Sequence, residues 1–200
     1  MATEQKSKHP TVITPECRLS FPSLFQKRSF EEGKTAKYEV TMLFDKRTDL
    51  KKLRDAINAE AMKKFGTVKG IKLPLLDGDE KGGEASAQYA GHFYAHAKSI
   101  YAVDVIDREK NSLTEEDVYA GCYVKVSVAV KADEYKDPKD GKVKSKFVKL
   151  LLRAVMKTKD GEPFSTRSNG ADDFENEGSD DASNYEAEDS DALDLSEFMK

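Results

Sequence analysis

The side chains best suited to covalent or metal chemistry are few and poorly spaced for joint action. Of three histidines, only His92 and His96 stand close together in sequence. On a strand their Cα atoms lie about 13 Å apart, since each residue rises about 3.3 Å, so they do not chelate one ion together. If residues 85–98 formed a helix, which their alanines permit, the pair would be adjacent instead. Cys17 and Cys122 form no CxxC arrangement and have no histidine near them in sequence. They read as small apolar side chains rather than as nucleophiles or a disulfide. The DGDE run at 77–80 lacks the rest of a calcium loop and reads as a solvated turn. No phosphate-cradling GxxxxGKS or GxxxxGKT, no GxGxxG after a strand and no GxSxG occurs. These residues argue against an enzyme and call for no metal and no cofactor.

A different chemistry is better represented. Tyr94 with Lys98, Tyr123 with Lys125, and Phe147 with Lys149 and Arg153 share the outward-reading faces of three alternating segments. Exposed rings stack on bases without regard to sequence, at about 1–3 kcal/mol per base, while lysine and arginine neutralise phosphates. Single-stranded nucleic acid asks for that mixture. Any barrel carries lysines on its wet face, so the weight rests on the repetition over three segments. The assignment of faces rests on alternation, and a bulge would invert part of it.

These residues need strands to present them. CRLSFPSLFQKRSF (17–30) alternates around Pro22 and reads as an edge strand with a bend. Tyr38, Val40, Met42 and Phe44 alternate with polar neighbours as a half-buried strand. Leu50, Leu53, Ile57, Ala61 and Phe65 recur at helical spacing, with Thr48 or Asp49 available as cap and Gly66 as stop. Residues 67–90 read as a long, partly mobile loop. Strands follow at 91–99, 121–131 and 146–157. In the last, Val148, Leu150, Leu152, Ala154 and Met156 form the face opposite Phe147, Lys149, Leu151, Arg153 and Lys157. Asp140-Gly141 favours a tight reversal between the last two strands, and LTEEDVY (113–119) suits a short helix. The expected fold is mainly β: an OB-fold-like antiparallel barrel with one amphipathic helix and a disordered acidic C-terminal tail. The expected boundaries are a loose arm over 1–15, the barrel domain over 16–168 and the tail over 169–200.

Charge separates body from tail. Residues 171–200 hold twelve acids and one lysine, a net of −11, which leaves the first 170 residues at +7 within an overall −4. Residues 165–192 are too polar to bury a core, yet Leu193, Leu195 and Phe198 restore apolar character near the end. Those three residues read as a docking arm for a partner protein. No run of 18 apolar residues exists to span a membrane, and the first residues lack the apolar stretch of an export signal. The expected location is cytoplasmic, in the host cell if the protein is viral, where the cysteines stay reduced.

The chain also resembles the single-stranded DNA-binding proteins of tailed bacteriophages, an OB-fold group related to the replication proteins of short-tailed phages. The resemblance is carried by RLSFPSLFQKRSF (18–30), YEVTMLF (38–44), KGIKLPLLDGDEK (69–81), YAGHFYAHAKS (89–99), VIDREKNSLTEEDVYAGCYVKVSV (105–128) and KDGEPF (159–164). It implies a five-stranded barrel with one helix that binds single-stranded DNA without sequence preference during phage replication or recombination. It also implies a tail that contacts polymerase and helicase and competes with DNA for the basic groove, and it implies that such chains often form homodimers. Phe198 stands for the terminal aromatic of such tails, although Met199 and Lys200 follow it here. The rival reading from residues alone is an acidic-tailed interaction or assembly protein whose basic face meets another protein.

Overall fold

In the computed structural model, which describes residues 9–29, 35–81 and 88–164, the alternating segments become strands that turn their apolar faces toward one interior. β1 is Thr11–Ile13, β2 Cys17–Arg28, β3 Lys37–Asp45, α1 Lys51–Phe65 and β4 Leu75–Asp77. β5 is His92–Ser99, β6 Asp104–Ile106, β7 Tyr123–Lys136 and β8 Val143–Lys159. β2 pairs with β3, β3 with β5, and β7 with both β2 and β8, all antiparallel. A parallel pairing of β5 with β8 closes the ring. Closure is the most complete answer to the exposed-edge problem of β-sheets. Three short strands are added outside it: β1 on β7, β4 on β5 and β6 on β8.

The interior is written in even-numbered positions of β3 and β7. Val40, Met42 and Phe44 meet Val124, Val126, Val128 and Val130, with Leu19, Ala95, Ala97, Leu150 and Val155 completing the layer. Full burial of each larger apolar side chain stabilises the fold by about 1.5–3 kcal/mol. Leu53, Ile57 and Ala61, one turn apart on α1, pack into the same core. The helix begins at Lys51, whose N–H donates to the Asp49 carboxylate at 2.9 Å, and it ends at Gly66.

Several expectations are corrected. β2 is not an edge strand: it pairs on both sides, and it bends at a bulge where Phe21 adopts φ 45° before Pro22. Residues 11–13, within the expected loose arm, form β1. The expected loop 67–90 contains β4 and a bridge from Lys72 to Phe147. Residues 92–99 are a strand, so the helical alternative for the histidine pair is excluded, and residues 113–119 contain a turn rather than a helix. In β8 the pairing register shifts between Ser127 opposite Ala154 and Val128 opposite Leu152. Parity flips there, so Val155 enters the core in place of the Ala154 and Met156 expected from simple alternation.

Candidate nucleic-acid interface

Pairing register places outward side chains in rows across the ring. One row runs Lys159, Tyr123, Arg18, Leu43, Tyr94 and Leu76, from β8 through β7, β2, β3 and β5 to β4. The next holds Ser20, Thr41 and His96. A third holds Ser23, Glu39, Lys98 and Leu151.

The first two rows are largely covered. Tyr94 does point outward, but it is only 8% exposed because Tyr89 packs edge-on against it, ring centroids 4.8 Å apart. That corrects the expectation of an open stacking ring. Lys81 places its ammonium 3.4 Å from the Tyr89 centroid, and the Ser20 hydroxyl donates to Gln88 at 3.1 Å. The covering segment is clamped at its base. The Gly78 N–H donates to the His92 carbonyl at 2.8 Å, the Gly91 N–H to the Asp79 carboxylate at 2.6 Å, and Lys46 pairs with both Asp77 and Asp79. A Cβ at Gly78 would lie 2.0 Å from the Tyr89 carbonyl oxygen, so this closure requires glycine. The Lys46 hydrogen bond holds the Asp77 carboxyl below its ordinary range, and the Gly91 N–H does the same for Asp79. His96, half-buried with Nδ1 2.9 Å from the Thr41 hydroxyl, is pushed down by burial.

At the other end of the first row, Arg18 ties down the end of the barrel chain. Its guanidinium lies 4.1 Å from the Phe164 ring centroid, and it donates to the carbonyls of Gly121 (3.3 Å) and Glu162. Tyr123 is half-buried between Arg18 and Lys159, whose charged groups lie 5.8 and 4.2 Å from its ring centroid.

The third row opens into a groove of about 580 Å³ between β5 and β8. Lys37, Lys98 and Lys149 contribute cations to it, and Leu76, Ile100 and Leu151 apolar surface. Tyr101 stands beside it, 75% exposed, held by hydrogen bonds between its backbone and the Ser99 hydroxyl at 2.8 and 3.0 Å. Lys98 pairs with Glu39 at 2.6 Å and Lys149 with Asp133 at 2.6 Å, so both heads are oriented while remaining accessible. Of the residues singled out from sequence, Lys98 and Lys149 meet here. Phe147 is half-buried one outward position along β8 from Lys149, opposite Asp133. Lys125 and Arg153 are exposed but do not line the groove, since Arg153 sits at the β8 bulge and Lys125 pairs in register with Met156. Leu193, Leu195 and Phe198 lie outside the described residues. Lys37 stood on the polar face of the 37–44 alternation but was not singled out as a contact, while Ile100 and Tyr101 follow β5 and lie outside its alternation. Among the described residues, no three His, Cys, Asp or Glu side chains converge as a metal site. Nor is any described helix long and apolar enough to cross a membrane.

The family model of the single-stranded DNA-binding protein of Enterobacter phage Enc34 matches residues 10–185. The chain belongs to this family. It is a family of non-enzymatic, phage single-stranded DNA-binding proteins. The solved structure of the Enc34 protein in complex with ssDNA is 26% identical, with a TM-score of 0.66 over 78% of this chain and 89% of that one. A second solved structure of the single-stranded DNA-binding protein from bacteriophage Enc34 is 24% identical, with a TM-score of 0.63 over 82% of this chain and 89% of that one. The single-stranded DNA-binding protein gp2.5 of bacteriophage T7 is 14% identical, with a TM-score of 0.54 over 90% of this chain and all of gp2.5. At that identity it supports the OB-like fold alone. No curated protein sequence matches the chain. The groove adjoins the outward face of β3 and β5, from which Lys37, His96 and Lys98 line it.

Proposed function

We propose that this member of the Enc34 family binds single-stranded DNA without base-sequence preference, along the groove beside β3, β5 and β8. The observation that carries the reading is the groove's composition: lysines from three strands beside an apolar floor, next to an exposed, backbone-anchored tyrosine. Lysines 37, 98 and 149 neutralise phosphates, while Tyr101 and Phe147 offer faces to bases. Tyr123, Lys125 and Arg153 serve a strand that continues around the barrel. The acidic tail then acts in phage replication or recombination inside the host cell, presenting Leu193, Leu195 and Phe198 to replication proteins such as polymerase or helicase.

Titration with oligo-dT, followed by tyrosine fluorescence at two salt concentrations, tests the DNA reading. Quenching should saturate, and log affinity should fall with log salt at a slope of about −2 to −4, from about −0.7 per phosphate contacted. No quenching, or affinity indifferent to salt, sinks it. For the tail, a chain lacking residues 171–200 should keep DNA binding and lose the replication partner. Retention of that partner would remove the docking role.

A further inference from the structure

The lysine of the groove nearest the helix is part of a larger cluster. Lys149 from β8, Lys131 from β7 and Lys64 near the end of α1 converge on the carboxylate of Asp133, at 2.6, 3.5 and 3.7 Å. All three lysine side chains remain more than a third exposed, and that of Asp133 is partly covered. Lys131 and Lys149 share one carboxylate oxygen, so their nitrogens are no more than about 6 Å apart. One negative charge therefore faces three positive ones. Lys64 also donates to the Ala132 carbonyl at 3.3 Å, but among the described residues Asp133 is the carboxylate paired with all three lysines, and a second anion would balance the surplus positive charge.

We propose that Lys64, Lys131 and Lys149 form a phosphate-binding site for the DNA backbone, with Asp133 as the positioning residue that holds the three side chains converged before DNA arrives. The inference rests on the groove being the DNA-binding surface and extends that surface from β8 onto β7 and the end of α1. Lys149 lines the groove, so the cluster is continuous with it. Phe147 stands directly opposite Asp133 in the β7–β8 register, and its ring centroid lies 5.8 Å from the Lys149 ammonium, which sets a ring beside the phosphate site. Ammonium groups ordered in advance lose less freedom when a phosphate binds than free lysines would. The hydrogen bond from Lys149 also keeps the Asp133 carboxyl far below the usual carboxylate range, so it stays ionised in the free protein at neutral pH.

The test compares oligo-dT binding by the full chain, a Lys64→Met/Lys131→Met double variant, Asp133→Asn, and Lys52→Met as an exposed control on the same helix. If the two lysines account for two phosphates, the double variant's log–log salt slope should be shallower by about 1.4, so its loss of affinity between about 50 and about 200 mM salt should be about sevenfold smaller. Asp133→Asn keeps the three positive charges but removes the carboxylate that holds them converged, so it should weaken binding at low salt through the lost pre-ordering. Lys52→Met should match the unaltered chain. An unchanged slope in the double variant together with unchanged low-salt affinity in Asp133→Asn, with melting temperature alone affected, would make the cluster a structural ion-pair knot and overturn the proposal. If the unaltered chain failed to bind oligo-dT, the groove reading itself would fall and take this one with it.

Discussion

Arg18 should be the side chain through which the end of the barrel chain is fixed, and its removal can be sized from its contacts. Arg18→Met keeps the apolar stem but removes the donors to the Gly121 and Glu162 carbonyls and the cation over Phe164 at 4.1 Å. Hydrogen bonds from a charged group contribute about 1.5–3 kcal/mol each, and partial exposure argues for the lower end or below, about 1 kcal/mol apiece. The cation–π contact adds about 0.5–1 kcal/mol at an exposed site. The expected loss is about 2–3 kcal/mol, or about 5–10 °C in melting temperature at 2–4 °C per kcal/mol for a domain of this size. Arg18→Lys retains the charge near Phe164 but cannot reach both carbonyls, so it should lose roughly half as much. Thermal unfolding reads the magnitude, and amide exchange reads its location. The Phe164 N–H, which donates to the Ala120 carbonyl at 3.1 Å, should exchange faster in Arg18→Met than amides of β3 do. A melting temperature within about 1 °C of the unaltered protein, with Phe164 protection intact, would refute the keystone role, since that shift corresponds to well under 1 kcal/mol.

Tyr101→Ala should weaken oligo-dT binding by about 1–3 kcal/mol while leaving thermal stability unchanged, because its ring is exposed. Tyr94→Ala should do the reverse, costing stability through its packing with Tyr89, and equal effects of both variants on affinity would contradict this division. Gly78→Ala should cost about 1–3 kcal/mol through overlap with the Tyr89 carbonyl and should speed proteolysis within 78–91; native protease resistance would show the clamp to be pliable. Burial holds His96 neutral in the folded chain, whereas the unfolded chain takes up a proton below about pH 6.5. The unfolded state then binds more protons, so the urea midpoint should drop as pH falls below neutrality, and His96→Gln should flatten that drop. An identical pH profile in the variant would assign the dependence to other groups.

Alternation was enough to identify the ring strands, because a strand with one buried face must repeat its apolar residues every second position. Val40, Met42 and Phe44, and the valines of 124–130, went where that rule sends them. The helical spacing of Leu53, Ile57 and Ala61 was legible for the same reason. The rule fails wherever one extra residue enters a strand. The β8 bulge reversed the faces of Ala154, Val155 and Met156, and no local signal marks it, since its cause lies in the pairing with β7. The short strands β1, β4 and β6 were missed because three residues carry no period and owe their extension to a neighbour's free edge.

For the interface, composition determined the chemistry and tertiary structure decided the place. A body at +7 with tyrosines and lysines sharing strand faces already implied a nucleic-acid surface. Which rings are open was not legible, because exposure depends on what lies above a face as well as on which face a residue occupies. Tyr94 is on the expected side, yet Tyr89, five residues earlier, folds back over it. Tyr101, Lys37 and the convergence of Lys64, Lys131 and Lys149 on Asp133 join positions far apart in the chain. Ring closure, through the pairing of β5 with β8, brings Lys98 and Lys149 to the same groove.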